Sequence, residues 1–373
     1  MPAPWDVTAL ARTPPAREVF GGEGGVRGVV FPGAPYRGRA AEVFAWLGVP
    51  PAGPAAGAVP GMVLLHAGGG RAYREWVERW IARGFAAIAP DLDARDAAGE
   101  RLPGGGPPQR PAASFDLSLP VGDLWPFHAV ATALAARAVL AAEPGVHRER
   151  IGVMGMSWGG CLALTAAGLE PRFGAAVSVY GTAFLQHPSG VERTEVFAAM
   201  TAADRRRWHD LFDPSHHLAA LAAPTLFVTG ATDGGFPLDV LAATCDALAA
   251  PPALVVRRAM KHSHEAGWSA PEPYRFAGEV FRGEPPLPRL GRPEGRSGRL
   301  VAPVLAGKPA RAELLWTPDG GEWKRRRWEA SPARLAAGRV EAELPPAARV
   351  AFLTVEDGET AWGSSPIWTR RAR

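Results

Sequence analysis

The chain has 373 residues, 47% of them hydrophobic and 21% charged, which is ordinary globular usage, long enough for two domains and for a core that needs no disulfides or structural metals. The formal net charge is +4, yet the first 282 residues carry 25 basic against 26 acidic side chains and the last 91 carry 16 against 11. The basic excess therefore belongs to the C-terminal part, and no nucleic acid partner is expected for the larger part.

In chain order, Met1–Asp6 lacks a basic n-region and an apolar h-region. No secretory signal is visible, so a cytoplasmic location is expected, or a secreted one if a leader has been removed. Short apolar runs predict strands at Val26–Phe31, Ala41–Leu47, Gly61–His66 and Phe85–Ala89, then at Ile151–Gly155, Ala175–Val179, Thr225–Thr229 and Leu254–Met260. Met62–Leu65 is apolar throughout, as a strand buried on both faces should be. Helices lie between. Arg71–Arg83 places Tyr73, Trp76, Val77, Trp80 and Ile81 on one stripe and stops at Gly84. Phe127–Ala142 is Ala-rich and ends before Pro144. Strands alternating with helices predict an α/β fold with a mostly parallel sheet.

Two long connections, Asp91–Gly122 and Gly181–Ala223, are expected as pocket walls or lids, because ligands bind beyond the carboxyl ends of such strands. The second contains a polar helical patch at Asp204–Trp208. No stretch reaches about 18 uncharged apolar residues, so no membrane-spanning helix is expected. Cys161 and Cys245 sit in apolar helical contexts and read as buried free thiols.

After Arg282 the composition changes. The catalytic-sized part is assigned to residues 1–285, a Pro/Gly/Arg-rich linker to 286–299 and a small all-β sandwich to 300–373. The sandwich is built from runs at Ala312–Trp316, Arg339–Leu344 and Arg349–Val355, with a hairpin signal at Asp319-Gly320-Gly321. Trp323-Lys324-Arg325-Arg326-Arg327-Trp328 interleaves cations and aromatics. It reads as a strand with a solvated basic face rather than a nucleic-acid surface.

The chemistry concentrates in four places. Gly155-Met156-Ser157-Trp158-Gly159 is the only G-x-S-x-G, and it lies between an apolar run and a helical pattern. Strand, sharp turn and helix together make this motif a nucleophile elbow, with Ser157 as nucleophile. His66-Ala67-Gly68-Gly69-Gly70 follows a buried strand and predicts an oxyanion loop. Its donors would be the amides of Ala67 or Gly68, with Trp158 supplying the other. Asp233 follows the strand Thr225–Thr229, while His262 and His264 both follow Leu254–Met260. Ser, Asp and His in that order supply nucleophile, orienting acid and base, with either histidine able to serve. His216, His217, His262 and His264 could also be read as a metal cluster, but no known ligand spacing supports it. No metal or cofactor is expected. His66, Trp125, Phe127, Tyr180, Phe236 and Trp268, with Trp158, are the candidates for a substrate pocket.

These motifs resemble the α/β-hydrolase superfamily, within the branch of dienelactone hydrolases and prolyl-oligopeptidase-like esterases that includes bacterial acetylxylan esterases. The resemblance runs over Leu64–Asp91, Trp125–His128, Arg150–Gly160, Asp213–His216, Thr225–Pro237 and Met260–Tyr274. It implies an eight-stranded, mostly parallel α/β-hydrolase sheet flanked by helices, followed by the small C-terminal β domain that relatives also carry. It implies His262 as base, with His264 as the alternative, because His262 falls where the superfamily places that residue. It implies a serine esterase for small-molecule or carbohydrate esters with short acyl groups. A peptidase of the oligopeptidase type or a non-enzymatic binding module are the alternatives. Ala67 departs from the glycine that relatives often have there.

Overall fold

The computed structural model describes residues 3–12, 14–51, 57–189 and 191–370, so Met1 and Pro2 of the N-terminal run lie outside the described residues. Nine strands make the main sheet: β1 (Arg17–Glu23), β2 (Val26–Tyr36), β3 (Arg39–Gly48), β4 (Val59–Leu65), β5 (Ala86–Pro90), β6 (Val146–Met156), β7 (Phe173–Val179), β8 (Thr225–Gly230) and β9 (Ala253–Arg257). Their order is β1-β2-β3-β5-β4-β6-β7-β8-β9. From β5 through β9 every pairing is parallel; β1, β2 and β3 add an antiparallel flank. The sheet thus exceeds the expected eight strands by β1. Its sequence, Arg-Glu-Val-Phe-Gly-Gly-Glu, is too polar and Gly-rich to give a strand signal, and it forms on the register β2 offers at the sheet edge.

Every residue of β5 and β8 is buried, which accounts for their unbroken apolar runs. The helix Trp125–Ala142 begins two residues before the expected start, with Pro126 in its first turn, where a missing N–H costs nothing. By length and composition this helix could cross a membrane, but most of it is buried inside the protein and packs on β4, β5 and β6. The helix Arg74–Ile81 buries Trp76, Val77 and Trp80, as its stripe predicts. Helix Glu272–Arg282 packs against β7 and β8 and ends at Gly283, whose φ of 69° is the left-handed cap glycine tolerates. The expected strand Leu254–Met260 ends early, at Arg257, which frees 258–263 to act as a loop.

The C-terminal module is two five-stranded antiparallel sheets. Leu300, Ala302, Leu314, Val340, Leu353 and Val355 fill the space between them. The segment 286–299, expected as a linker, is part of this module: Arg289–Leu290 and Glu294–Arg296 both pair with Arg299–Ala306. The Asp319-Gly320-Gly321 signal lies between antiparallel neighbours, Arg311–Thr317 and Glu329–Pro332, within a connection longer than a tight hairpin. Trp323–Arg325 there is a 3-10 turn rather than a strand; Trp323 and Trp328 are buried, and Arg326 lies 3.7 Å from the Trp323 ring centroid. The basic run owes this shape to its two tryptophans, which join the core of the larger domain.

That docking covers the open edge of β9. Ser364 Oγ accepts from the Val256 N–H at 2.9 Å. Glu272 Oε1 accepts both the Trp362 N–H at 3.1 Å and an Arg257 guanidinium N–H at 2.6 Å. Neither Cys161, which is buried, nor Cys245, which is half-buried, forms a disulfide among the described residues.

Candidate active site

Ser157 sits between β6 and the helix Trp158–Leu169 with φ 54° and ψ −118°. A non-glycine residue at positive φ is strained by roughly 1–3 kcal/mol and is held there by its surroundings. The holding contacts are visible. The Ser157 N–H donates to the Val179 carbonyl at 2.7 Å, tying the turn to the end of β7. The two motif glycines permit the close packing: a β-carbon on Gly155 would lie 1.8 Å from the Gly159 carbonyl oxygen, and one on Gly159 would lie 2.1 Å from that of Leu65. The elbow is therefore wedged against the end of β4, from which the His66–Gly70 loop leaves.

Asp233 and His262 meet as the chain order predicts. His262 Nδ1 lies 2.8 Å from Asp233 Oδ2. The other carboxylate oxygen accepts the Gly235 and Phe236 N–H groups at 2.9 and 2.8 Å. Asp233 is buried, so each oxygen has a fixed task. The carboxylate keeps the Nδ1 proton of His262 in place and leaves Nε2 as the basic nitrogen. Tyr180 stacks on the His262 ring at 4.5 Å, and Phe236 lies parallel to it at 6.1 Å. The Tyr180 hydroxyl donates to the Lys261 carbonyl at 2.6 Å, pinning the residue before the histidine. Since Tyr180 directly follows Val179, one strand end supports both the serine turn and the imidazole.

His264, the alternative base, is placed elsewhere. Its Nε2 accepts the Ala67 N–H at 3.0 Å and its Nδ1 faces the Tyr73 hydroxyl at 3.5 Å. Burial, then the nearby His66 and His262, push its pKa down to about 4. It is a neutral acceptor that shapes the loop. The same contact bears on the oxyanion expectation of Ala67 or Gly68, because the Ala67 amide is engaged by His264. The next amide, Gly68, makes no hydrogen bond among the described residues. Gly68 also faces the Trp158 side chain, 3.0 Å from where its β-carbon would stand. Trp158 opens its helix, so its amide lies at the positive end of the helix dipole.

The pocket candidates divide. Tyr180 and Phe236 flank His262. Trp125 is buried under Trp158, edge-on at 5.8 Å, with its indole N–H donating to the Leu92 carbonyl. Phe115 and Trp208 also reach the Trp158 ring, at 6.2 and 6.5 Å. Both come from the long connections expected to wall the pocket. His66 does not offer a free ring: Nε2 accepts the Leu92 N–H and Nδ1 donates to the Ala67 carbonyl, each at 2.8 Å. Phe127 stacks on Trp5 at 6.2 Å. Trp268 packs on Tyr73 and His264. The four histidines of the metal reading do not converge, since His262 and His264 are committed as above and His217 packs edge-on against Trp5.

Three supports were not among the candidate site residues. Gln109 Oε1 accepts the Gly69 N–H at 3.0 Å, joining the Gly/Pro-rich connection to the oxyanion loop. Asp91, whose carboxyl burial raises above the usual range, accepts amides of Ala72, Asp93 and Arg95 at 3.0, 2.9 and 2.8 Å. Asp213, fully buried, accepts those of Phe184, Leu185 and Ser215 at 3.0, 2.7 and 2.9 Å. Each is an Asp or Gln in a loop whose side chain holds backbone amides in place.

The dienelactone hydrolase family model matches residues 47–243, more than half the chain and including the serine turn and Asp233. The chain belongs to the dienelactone hydrolase family. It is a hydrolase. His262 lies beyond the matched segment, so its part rests on the contact with Asp233. Among solved structures, the acetyl xylan esterase from Paenibacillus sp. R4 is similar with a TM-score of 0.59 at 22% identity, over 74% of this chain and 92% of that one. Acetyl Xylan Esterase 1 from Thermoanaerobacterium sp. JW/SL YS485 gives 0.57 at 19%, over 75% and 95%. A puromycin-hydrolyzing peptidase of Mycobacterium tuberculosis gives 0.53 at 22%, over 68% and 39%. At such identities these likenesses establish the shared fold. No curated protein matches the chain.

Proposed function

We propose that this family member is a serine esterase that cleaves short-chain acyl esters through an acyl-enzyme. Ser157 Oγ attacks the acyl carbon while His262 Nε2 takes its proton. The tetrahedral oxyanion is held by the Gly68 and Trp158 amides. Collapse breaks the ester C–O bond, and the imidazolium returns the proton to the leaving alcohol. A water then attacks the acyl-serine, giving its proton to His262; collapse breaks the bond to Ser157 Oγ, the imidazolium returns the proton to that oxygen, and the carboxylic acid leaves. Asp233 stabilises the imidazolium at each step.

The observation that carries this reading is the buried Asp233 carboxylate, 2.8 Å from His262 Nδ1, together with a strained serine at a strand-to-helix turn tied to the same strand end that carries Tyr180 under the imidazole. A short acyl group is favoured by the crowd of aromatic rings around Trp158, next to the nucleophile. Tryptophan also stacks well on sugar rings, and two similar folds belong to proteins named acetyl xylan esterases, so an acetylated carbohydrate is the preferred natural substrate class. The test is a panel of p-nitrophenyl acetate, butyrate and octanoate, acetylated xylan and aminoacyl-anilides. Highest kcat/KM on acetyl esters is expected; preferred cleavage of anilides would replace the reading with a peptidase.

A further inference from the structure

We propose that His209, Asp210 and His216 form a binding site for a divalent transition metal of the zinc class. His209 and Asp210 lie in the last turn of the helix Ala202–Phe212, and His216 ends the 3-10 turn Pro214–His216 that folds back beside it. His216 Nε2 stands 3.1 Å from His209 Nδ1. Asp210 Oδ1 stands 3.5 Å from His209 Nδ1 and 3.9 Å from His216 Nε2. Tetrahedral zinc with ligand bonds of about 2.0–2.1 Å sets its donors about 3.3–3.4 Å apart. The three separations bracket that edge, so an ion can enter with side-chain adjustments of a few tenths of an ångström.

Two features fit the site to a metal. The donors are two imidazoles and a carboxylate, a set that suits zinc, nickel or copper and not magnesium. The turn is also pre-organised. Buried Asp213 holds the Ser215, Phe184 and Leu185 amides, so His216 is presented by a fixed backbone. Ser215 Oγ faces the remaining nitrogen of His209 at 3.5 Å, the outer hydrogen-bond position that orients a ligating imidazole. All three donors reach solvent, leaving the fourth coordination position to water.

The site is not part of the hydrolytic machinery. Its consequence is mechanical. The same helix carries Trp208, which stacks on Phe115 at 5.4 Å and donates to the Ser114 carbonyl at 2.9 Å. A metal clamping the helix end to the following turn would steady this wall of the pocket. It would raise stability as any ligand of the native state does.

The experiment is calorimetric titration of chelator-treated full-length protein with zinc chloride, on wild type, His209→Ala, His216→Gln and Asp210→Asn. The wild type should bind one equivalent in the micromolar range and melt at a higher temperature when loaded. Each histidine variant should bind at least about tenfold more weakly, with magnesium failing to compete. Should a His209 variant not fold, His216→Gln and Asp210→Asn, at more exposed positions, keep the test decisive. Equal zinc affinity in wild type and variants, or no binding by the wild type, overturns the proposal.

Discussion

Replacing Asp233 by Asn probes how the imidazole is set. The substitution keeps the shape and removes the charge, and the structure dictates how the amide must lie. One carboxylate oxygen receives two backbone N–H groups, from Gly235 and Phe236, at 2.9 and 2.8 Å. Only the amide oxygen can take that place, because the NH2 group would meet two donors head-on. The NH2 is therefore turned toward His262 Nδ1, where the carboxylate oxygen now lies at 2.8 Å. Nδ1 must then accept, the imidazole proton moves to Nε2, and the nitrogen proposed to take the serine proton is no longer a base. In a serine triad this wrong tautomer lowers kcat by about 10⁴, or about 5.5 kcal/mol of barrier. The assay is p-nitrophenyl acetate hydrolysis at pH 7.5, with circular dichroism to confirm folding. A folded Asp233→Asn protein that retains more than about a tenth of wild-type kcat/KM would refute this reasoning.

Three further outcomes are expected. Gly159→Ala forces a β-carbon to within 2.1 Å of the Leu65 carbonyl and 2.6 Å of the His66 carbonyl; both are backbone atoms, so the variant should lose several kcal/mol of stability (about 3 or more) or fail to fold, as urea melts would show. His264 has a folded pKa of about 4, below that of the free side chain, so its stabilising contribution is complete above about pH 6.5 and is lost as pH falls toward 4. After allowance for partial exposure this amounts to roughly 2 kcal/mol, and His264→Gln should flatten the wild-type fall between pH 7 and pH 4.5 in chemical denaturation; parallel curves would contradict it. Cutting the chain after Gly283 removes Trp323, Trp328 and Phe352 from the main core and bares the β9 edge. The fragment should aggregate, and a soluble, active fragment in size-exclusion chromatography would show the module to be dispensable.

Much of this was legible because certain residues leave no choice. A serine between two glycines after a buried strand has one structural use, and Asp233 and His262 each follow a strand whose end faces the same way. The residues alone left His262 and His264 open, two positions apart in one loop, and the resemblance favoured His262; the three-dimensional partners, Asp233 for His262 and the Ala67 amide for His264, separate them. Likewise, only the His264 contact separates Ala67 from Gly68, the two amides read as possible donors of the loop. His66 was among the pocket candidates, yet both ring nitrogens serve the backbone. β1 and the strands in 286–299 were hidden by charge, glycine and proline, since edge strands owe their conformation to a neighbour rather than to their own side chains.

The central claim is that Ser157 carries the acyl group. The direct measurement is fluorophosphonate labelling followed by peptide mass mapping, run on wild type and on Ser157→Ala. A single adduct on the peptide containing Ser157, absent from the folded variant together with p-nitrophenyl acetate turnover, is the result expected. An unlabelled Ser157 in an active enzyme, or turnover that survives Ser157→Ala, would contradict the account.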